Sequence, residues 1–168
     1  GQEPGVVEAD EMIGAERVRP GDVVVAMASS GLHSNGYSLV RRVLLDEAGL
    51  SLEASIPELG RTVGEELLEP TRVYALDALA LIHGVQVHAM SHITGGGLAN
   101  NLARVLPGTV TAHLDRGAWT PPAIFALVQR LGQVSQRDIE ATLNMGVGMA
   151  AVVAPEDAEK WGKEFNFH

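Results

Sequence analysis

Two segments of the chain share one pattern: an apolar run, a loop of small residues, and then apolar residues at helical spacing. The first runs through Asp22–Ala28 and the loop Ser29–Gly36, and the second runs through Val85–Ile93 and the loop Thr94–Gly97. Apolar, β-branched runs bounded by turn residues favour strands, whereas apolar residues spaced three or four apart favour helices. The sequence therefore predicts strand, small-residue loop and helix in that order, twice.

The rest of the chain adds strands and helices without strict βαβ alternation. Further strands are predicted at residues 6–7, 109–115 and 147–154, and residues 51–69 are predicted to be mostly loop. A helix after Pro70 is expected to turn Val73, Leu76 and Leu79 inward. A helix is expected at Ala123–Leu131, with Thr120 and Pro121 as its N-cap and first residue, and further helices are expected at a capping box of Ser135 with Asp138 and from Pro155. This mixture favours an α+β fold with a mixed β-sheet packed against helices.

Composition narrows the classes of function. The chain has 168 residues, which suits one domain of roughly 100–200 residues. It carries 12 Lys and Arg against 21 Asp and Glu, and a net charge of −9 counts against a nucleic-acid partner. Cysteine is absent, which excludes disulfides and thiolate metal sites. No apolar stretch approaches the ~20 residues that span a bilayer, so we expect no membrane partner and a cytoplasmic location.

The loop Thr94-Gly95-Gly96-Gly97 has the features of an anion site. The first N–H groups of a helix lack internal partners, and the helix dipole favours negative charge at that end. Glycine lets the backbone approach a ligand and permits positive φ. Three consecutive glycines before a helix therefore favour phosphate binding at these four residues. The alternative is a tight turn between strand and helix.

The loop SSGLHSNG places several hydrogen-bonding side chains close together between Gly31 and Gly36. His33 can donate a hydrogen bond or exchange a proton near neutral pH, and Asn35 can bind an amidine, an amide or a ribose hydroxyl. The alternative is that Ser34 or Asn35 only caps the next helix. Capping accounts for one polar residue of the loop and leaves the others unexplained.

A third segment, Asn144-Met145-Gly146, stands at the entrance of the last strand. Its glycines indicate either close packing or the approach of a ligand to the backbone, and both interpretations stay open. Among the six histidines, His88 and His92 are four apart, but in a presumed strand they would share a face without converging, so we predict no metal site. A GxSxG elbow and a GxxxxGK[ST] phosphate loop are both absent, which leaves serine-hydrolase chemistry and that mode of ATP binding unsupported.

Three stretches together resemble one enzyme family. GDVVVAMASSGLHSNGYSLVRRVL, SHITGGGLANNLARVLP and TLNMGVGMAAVV are similar, in this order, to the carboxy-terminal domain of the phosphoribosylformylglycinamidine cyclo-ligases, also called aminoimidazole ribonucleotide synthetases. The resemblance covers residues 5 to about 158. It implies the fold of that superfamily's carboxy-terminal domain and a role in purine biosynthesis.

The reaction that the resemblance implies is an ATP-dependent ring closure. ATP phosphorylates the formamide oxygen of formylglycinamidine ribonucleotide, an amidine nitrogen attacks the activated carbon, and phosphate leaves to give aminoimidazole ribonucleotide. The family also implies Mg²⁺, a homodimer and a cleft between two domains. Carried onto this chain, His33 and Asn35 are expected to be catalytic and Thr94–Gly97 to hold a phosphate. Substrate contacts are expected from Ser30, Gly31, Ser34, Gly36, Asn144, Met145 and Gly146.

Residues 1–168 are expected to form a single carboxy-terminal domain of a two-domain enzyme. The family's amino-terminal, ATP-handling domain is not in this sequence, and residues 159–168 are interpreted as a truncated or foreign tail. We therefore expect this domain alone to lack cyclo-ligase activity. Two alternatives remain: a domain of the glutamine-dependent formylglycinamidine synthetase, and a non-catalytic module for phosphate binding or dimerisation.

Overall fold

A computed structural model describes residue 2 and residues 4–164, with side chains as far as Glu159. Five strands lie in the described ranges, and three of them form the main sheet in the order β1-β5-β4. The remaining two form a short ribbon. The strands are β1 Val23–Ala28, β2 Ser55–Ile56, β3 Arg61–Thr62, β4 Val87–His92 and β5 Val147–Val153.

The central strand of the sheet runs antiparallel to both of its neighbours. Met149 on β5 pairs with Met27 on β1 and with His92 on β4. Six of the seven β5 residues are buried, which explains why its sequence reads as a continuous apolar run. The carboxyl ends of β1 and β4 consequently lie beside the amino end of β5, at the same end of the strands.

Helices cover the two faces of the sheet and build a third, helical cluster beside it. Ile124, Phe125 and Val128 form part of the interior of that cluster, and all three are fully buried. A π-helical turn, Arg42–Glu47, continues the first helix directly. The helices are α1 Tyr37–Arg41, α2 Val63–Leu67, α3 Ala75–Gly84, α4 Gly97–Ala103, α5 Ala123–Leu131, α6 Gln136–Thr142 and α7 Pro155–Glu164.

Much of the prediction is confirmed. The fold is α+β, and the two strand–loop–helix units are β1 to α1 and β4 to α4. The sheet itself is not mixed as expected, because the pairings among the described residues are all antiparallel. The predicted cap of α6 is present, since the Ser135 hydroxyl accepts a hydrogen bond from the Asp138 N–H at 3.1 Å.

Two predicted strands are wrong. Val6 and Val7 are exposed and form no strand. Residues 109–115 form no strand either, although Val110, Ala112 and Leu114 do pack on the sheet cluster as their alternation indicates. The segment lies over one face of the sheet, with a cavity of about 460 Å³ between them, and it does not pair with an edge strand. Side-chain alternation therefore identified the buried face, but it did not report on hydrogen-bonded pairing.

The helix after Pro70 lies the other way round from the prediction. Val73, Leu76 and Leu79 are exposed, whereas Tyr74 and Leu81 are buried against the sheet. Because α3 is apolar on both sides, periodicity alone could not select its inner face.

Three further predictions concern the starts of two helices and the structure of residues 51–69. Helix α5 begins at Ala123 after Pro122, so Thr120 does not cap it. Residues 51–69 contain the β2–β3 ribbon and α2, whose first turn is fixed by a capping box between Thr62 and Glu65. The last predicted helix does begin at Pro155.

The predicted truncated or foreign tail, residues 159–168, lies partly outside the described residues, which end at residue 164. Within the described ranges, none of the helices has the length and apolar character needed to cross a bilayer.

Candidate functional site

Three loops meet at the edge of the sheet where β1 and β4 end and β5 begins. The Ser29 N–H donates to the Gly146 carbonyl at 2.8 Å, and the Ile93 N–H donates to the Gly148 carbonyl at 2.9 Å. The Asn35 amide oxygen lies 3.8 Å from where a Cβ atom on Gly95 would be. The antiparallel sheet thus gathers the loops Ser29–Gly36, Thr94–Gly97 and Asn144–Gly146 into one place, which we call the loop cluster.

His33 lies inside the loop cluster rather than on its surface. His33 is only 4% exposed, and its backbone has a positive φ of 58°. The Ser30 N–H donates to Nε2 at 3.2 Å, so the neutral ring carries its proton on Nδ1. Nδ1 is buried and has no hydrogen-bond partner among the described residues. The ring is therefore a neutral donor whose hydrogen bond the domain itself leaves unmade.

The electrostatics of the cluster keep His33 neutral. Burial lowers the pKa of His33 below its ordinary value of 6.5, and the nearby His92 lowers it further. The imidazole packs against Tyr74 at a centroid distance of 6.1 Å. A neutral imidazole can polarise an oxygen through its N–H, and it can also receive a proton.

The polar side chains of the first loop differ in exposure: Ser34 is exposed, whereas Ser30 and Asn35 are half-buried. The Ser34 hydroxyl lies 3.2 Å from the Thr71 hydroxyl. The Ser30 hydroxyl donates to the Pro70 carbonyl at 2.6 Å, which ties the loop to the segment before α3. Ser34 is therefore the most exposed of the predicted side chains in this loop, and the Ser30 hydroxyl is engaged within the domain.

Glycine is required at both ends of this loop. Gly31 has a φ of 145° and lies beside the buried carboxylate of Glu66, whose oxygen would be 3.7 Å from a Cβ there. Gly36 has a φ of 74°, and a Cβ at this position would collide with Leu143. Both glycines shape the loop, and neither presents a side chain to a ligand.

Asn144 joins the first and third loops. Its amide nitrogen donates to the Gly31 carbonyl at 2.9 Å, and its amide oxygen accepts from the Gly146 N–H at 2.8 Å and from the Ser29 hydroxyl at 3.1 Å. The residue is 3% exposed. Both ends of this amide are already in use, so Asn144 organises the cluster from inside.

Met145 and Gly146 complete the third loop with positive φ values of 51° and 92°. The Met145 carbonyl accepts a hydrogen bond from the Trp119 indole N–H at 2.9 Å. A Cβ on Gly146 would lie 2.8 Å from the Pro122 ring. The close-packing interpretation of these glycines therefore has direct contacts to support it.

The glycine-rich loop is held from below by Asn101, a buried residue of α4. The Asn101 amide nitrogen lies 2.8 Å from the Gly97 carbonyl, and its oxygen accepts from the Thr94 hydroxyl at 3.2 Å. Gly96 and Gly97 both have positive φ, and a Cβ on Gly97 would collide with the Glu140 carbonyl. Of these three glycines, Gly95 alone is exposed and has neither a positive φ nor a steric reason to be glycine.

Comparison with known proteins places the loop cluster in a family. Residues 19–166 match the family described as "AIR synthase related protein, C-terminal domain", which covers all three loops. The chain belongs to this family. The three loops of the loop cluster are therefore loops of that family's carboxy-terminal domain.

Curated relatives carry the name of the cyclo-ligase. A Streptomyces fradiae protein named "Putative phosphoribosylformylglycinamidine cyclo-ligase" is 66% identical over 142 residues, covering 84% of this chain and 78% of that protein. The phosphoribosylformylglycinamidine cyclo-ligase of Brevibacillus brevis is 49% identical over 154 residues, and that of Thermoanaerobacter sp. (strain X514) is 41% identical over 162 residues. Those alignments cover 92% and 96% of this chain but 44% and 48% of the relatives. The chain thus spans about half the length of these two relatives.

The sequence did not predict that the segment just before α3 supports the loop cluster. The Tyr74 hydroxyl donates to the Ala28 carbonyl at 2.7 Å, and burial raises the pKa of Tyr74 to about 12. The Arg72 guanidinium lies 5.5 Å from the centroid of the Tyr74 ring, and its N–H donates to Asp77 at 2.9 Å. The sequence signal for this support is the polar run at residues 69–72, directly before an apolar helix.

A buried carboxylate was missed as well. Glu66 is 6% exposed and accepts a hydrogen bond from Arg61 at 2.7 Å, and Arg61 also binds Glu69 at 2.5 Å. This ion pair lies beneath Gly31. Within the described ranges, no group of three His, Cys, Asp or Glu side chains is arranged to hold a metal ion.

Proposed function

We propose that this chain is the substrate-cleft half of a phosphoribosylformylglycinamidine cyclo-ligase, which closes formylglycinamidine ribonucleotide to aminoimidazole ribonucleotide at the expense of ATP. The observation that carries the proposal is the convergence of the three loops at one sheet edge, in a chain whose relatives bear this enzyme's name. The activity belongs to the whole protein. The domain alone is expected to be inactive.

The accessible polar groups fit the substrate's chemistry. The Asn35 amide both donates and accepts hydrogen bonds, so it can bind an amidine nitrogen or a ribose hydroxyl. Its neighbour Gly95 offers an exposed backbone to a phosphate. We therefore assign the substrate's polar edge to Asn35 with Ser34, and its phosphate to residues 94–97.

We assign His33 a role as a neutral hydrogen-bond donor. As the amidine nitrogen bonds to the activated carbon and the C–O bond breaks, negative charge collects on the leaving phosphate, and a preorganised donor in a dry site stabilises such charge strongly. The buried Nδ1–H of His33 is such a donor, and its lowered pKa keeps it neutral at physiological pH. Because the ring is enclosed, direct contact with the substrate requires the loop Ser29–Gly36 to shift when the cleft closes.

ATP and Mg²⁺ enter the proposal through the other half of the protein. Among the described residues no group of three His, Cys, Asp or Glu side chains could hold a metal ion, so we assign Mg²⁺ to no side chain of this domain. A homodimer and a cytoplasmic location belong to the same proposal. Phosphoryl transfer depends on positioning and charge stabilisation, which backbone amides and neutral donors supply.

A second candidate is a non-catalytic module that keeps the fold. The enclosure of His33 and the structural use of Asn144, Gly96 and Gly97 favour it, because packing explains those residues without a substrate. Such a module would tolerate loss of the Asn35 amide. A domain of the glutamine-dependent synthetase differs instead in the far greater length of its parent protein.

The test compares variants of the full-length protein in an assay for aminoimidazole ribonucleotide formation with ATP and Mg²⁺. We expect Asn35→Ala and His33→Gln each to lower turnover by about 100-fold, a typical loss for a positioned polar group. His113→Gln, at an exposed histidine outside the three loops, is the matched control and should retain activity. Absence of turnover in a folded parent protein would contradict the cyclo-ligase proposal, and full activity of Asn35→Ala would favour the module.

A further inference from the structure

Helix α3 has an apolar face that nothing in the described structure covers. Val73, Leu76 and Leu79 are 80%, 81% and 51% exposed, and Ile82 continues the row at 40%. The opposite side of the same helix buries Leu81 in the sheet cluster. A helix that is apolar on both sides is typical of a buried position between two layers. We call Leu76, Leu79 and Ile82, together with Val73 just before the helix, the outer face of α3.

The amino-terminal segment of the chain already lies against the end of this face. Val7 and Met12 line a groove of about 600 Å³ together with Leu79 and Ile82. Met12 is itself 52% exposed. The segment that precedes β1 therefore lies beside the carboxy-terminal half of α3, next to the outer face.

The outer face also adjoins the loop cluster. The residues just before α3 hold the first loop, through the contact of Thr71 with Ser34 and the hydrogen bond from Tyr74 to the Ala28 carbonyl. A body that covers Val73 and Leu76 would consequently stand beside Ser34 and Asn35. It would form a wall of the cleft that the three loops leave open.

We propose that the outer face of α3 binds an apolar surface of the amino-terminal half of the full-length protein. The inference rests on the proposed function in one respect, that the chain is the carboxy-terminal half of a two-domain enzyme. The Brevibacillus and Thermoanaerobacter relatives are about twice as long as the part that aligns, and the matched family is a carboxy-terminal domain. The four residues of the face are aliphatic, although His83 lies beside Leu79 and Ile82 in the groove. An exposed aliphatic row of this kind favours an apolar contact over a charged ligand.

Hydrogen exchange tests this contact without using enzyme activity. Backbone amides of residues 75–84 are compared between the full-length protein and the 168-residue chain. We expect exchange at least ten times slower in the full-length protein. Leu76→Glu in the full-length protein should return these amides to the rate of the chain alone, because a buried carboxylate opposes docking. Leu52→Glu, at a leucine 48% exposed and away from α3, is the matched control and should keep the protection.

Each result decides the proposal. Equal exchange of residues 75–84 in the two proteins overturns it, as does protection that survives Leu76→Glu. A second copy of the chain is the competing occupant: dimerisation of the 168-residue chain by sedimentation velocity, abolished by Leu76→Glu, would also overturn it. Since Leu76 is exposed in the domain, the variant chain should keep its melting temperature. Slow exchange in a full-length protein without cyclo-ligase turnover would support the docking while contradicting the proposed function.

Discussion

The phenol of Tyr74 and the imidazole of His33 pack 6.1 Å apart, centroid to centroid, in space that exists because residue 148 has no side chain. A Cβ on Gly148 would collide with the Tyr74 hydroxyl and would lie 2.6 Å from the His33 Cε1. The same hydroxyl donates to the last carbonyl of β1. The central strand, the first loop and the segment before α3 are therefore joined through one glycine.

Gly148→Ala should accordingly disturb His33 and Tyr74 together. Overpacking of a filled interior costs about 1–3 kcal/mol, and we expect a loss of that size in the free energy of unfolding, measured with urea. Gly108→Ala is the matched control, because a Cβ there meets nothing within 4 Å. It should change stability by no more than about 0.5 kcal/mol. Equal stability of the two variants would show that the space at Gly148 is not needed.

Asn144→Ala should destabilise the chain by about 2–3 kcal/mol, since it leaves buried partners in two loops without hydrogen bonds. The affected groups include the Gly146 N–H and the Gly31 carbonyl. Asn100→Ala serves as the control, because its exposed amide makes one hydrogen bond, to the Gly96 carbonyl at 2.8 Å. Thermal and urea unfolding should separate the two variants clearly. A similar small loss in both would mean that Asn144 does not hold the loops together.

His33 gives the chain a defined dependence on pH. Its folded pKa lies below 6.5, so the unfolded state binds the proton more readily. The stability that follows from the neutral ring is complete above pH 6.5 and declines as the pH falls from there through the folded pKa. Urea unfolding between pH 8 and pH 5 should show this decline, and His33→Gln should reduce it.

His92 offers a second measurement of the same effect. Burial is the larger cause of the lowered pKa of His33, and the charge of His92 is the smaller one. His92→Gln should therefore raise the pKa of His33 only part of the way, as followed by NMR titration of the imidazole. The exposed His113 is a suitable control, and His113→Gln should leave the titration of His33 unchanged. A His33 that titrates at or above 6.5 would contradict the burial argument.

What the sequence predicted well was local. The strand at Val147–Val153 and the helix at Ala123–Leu131 follow from continuous apolar runs and from helical spacing, which need no knowledge of the neighbours. The face of α3 was lost because the helix is apolar on both sides, and Leu76 and Leu81 are equally plausible core residues by composition. Residues 109–115 kept their buried alternation without a paired strand, because pairing depends on the position of a sheet edge.

The candidate site divides in the same way. Loop composition identified His33, Asn35 and the glycines as residues of interest, and the sheet brings those loops together. Composition could not show that the Asn144 amide is fully engaged, or that Tyr74 supports His33, since both depend on contacts between residues about 40 to about 115 positions apart. Long-range partners of this kind become visible only once the strand order β1-β5-β4 is known.

The two outer glycines of the TGGG loop should respond to alanine in opposite ways. Gly97 has a φ of 72°, and its Cβ would strike the Glu140 carbonyl, so Gly97→Ala should cost more than about 3 kcal/mol or prevent folding. Gly95 is exposed and lacks a positive φ, and the Asn35 oxygen at 3.8 Å is an ordinary van der Waals distance. Gly95→Ala should therefore change the free energy of unfolding by no more than about 0.5 kcal/mol.

That difference isolates the phosphate proposal from the packing of the loop. In the full-length protein, Gly95→Ala should raise the KM for formylglycinamidine ribonucleotide by about 10-fold or more, because the methyl group obstructs approach to the loop backbone. The substrate concentration series is measured beside Gly108→Ala, which should match the parent. An unchanged KM in a stable Gly95→Ala protein would mean that the three glycines serve the turn alone. A raised KM with unchanged stability would place the substrate's phosphate at Gly95, since packing then has no part in the effect.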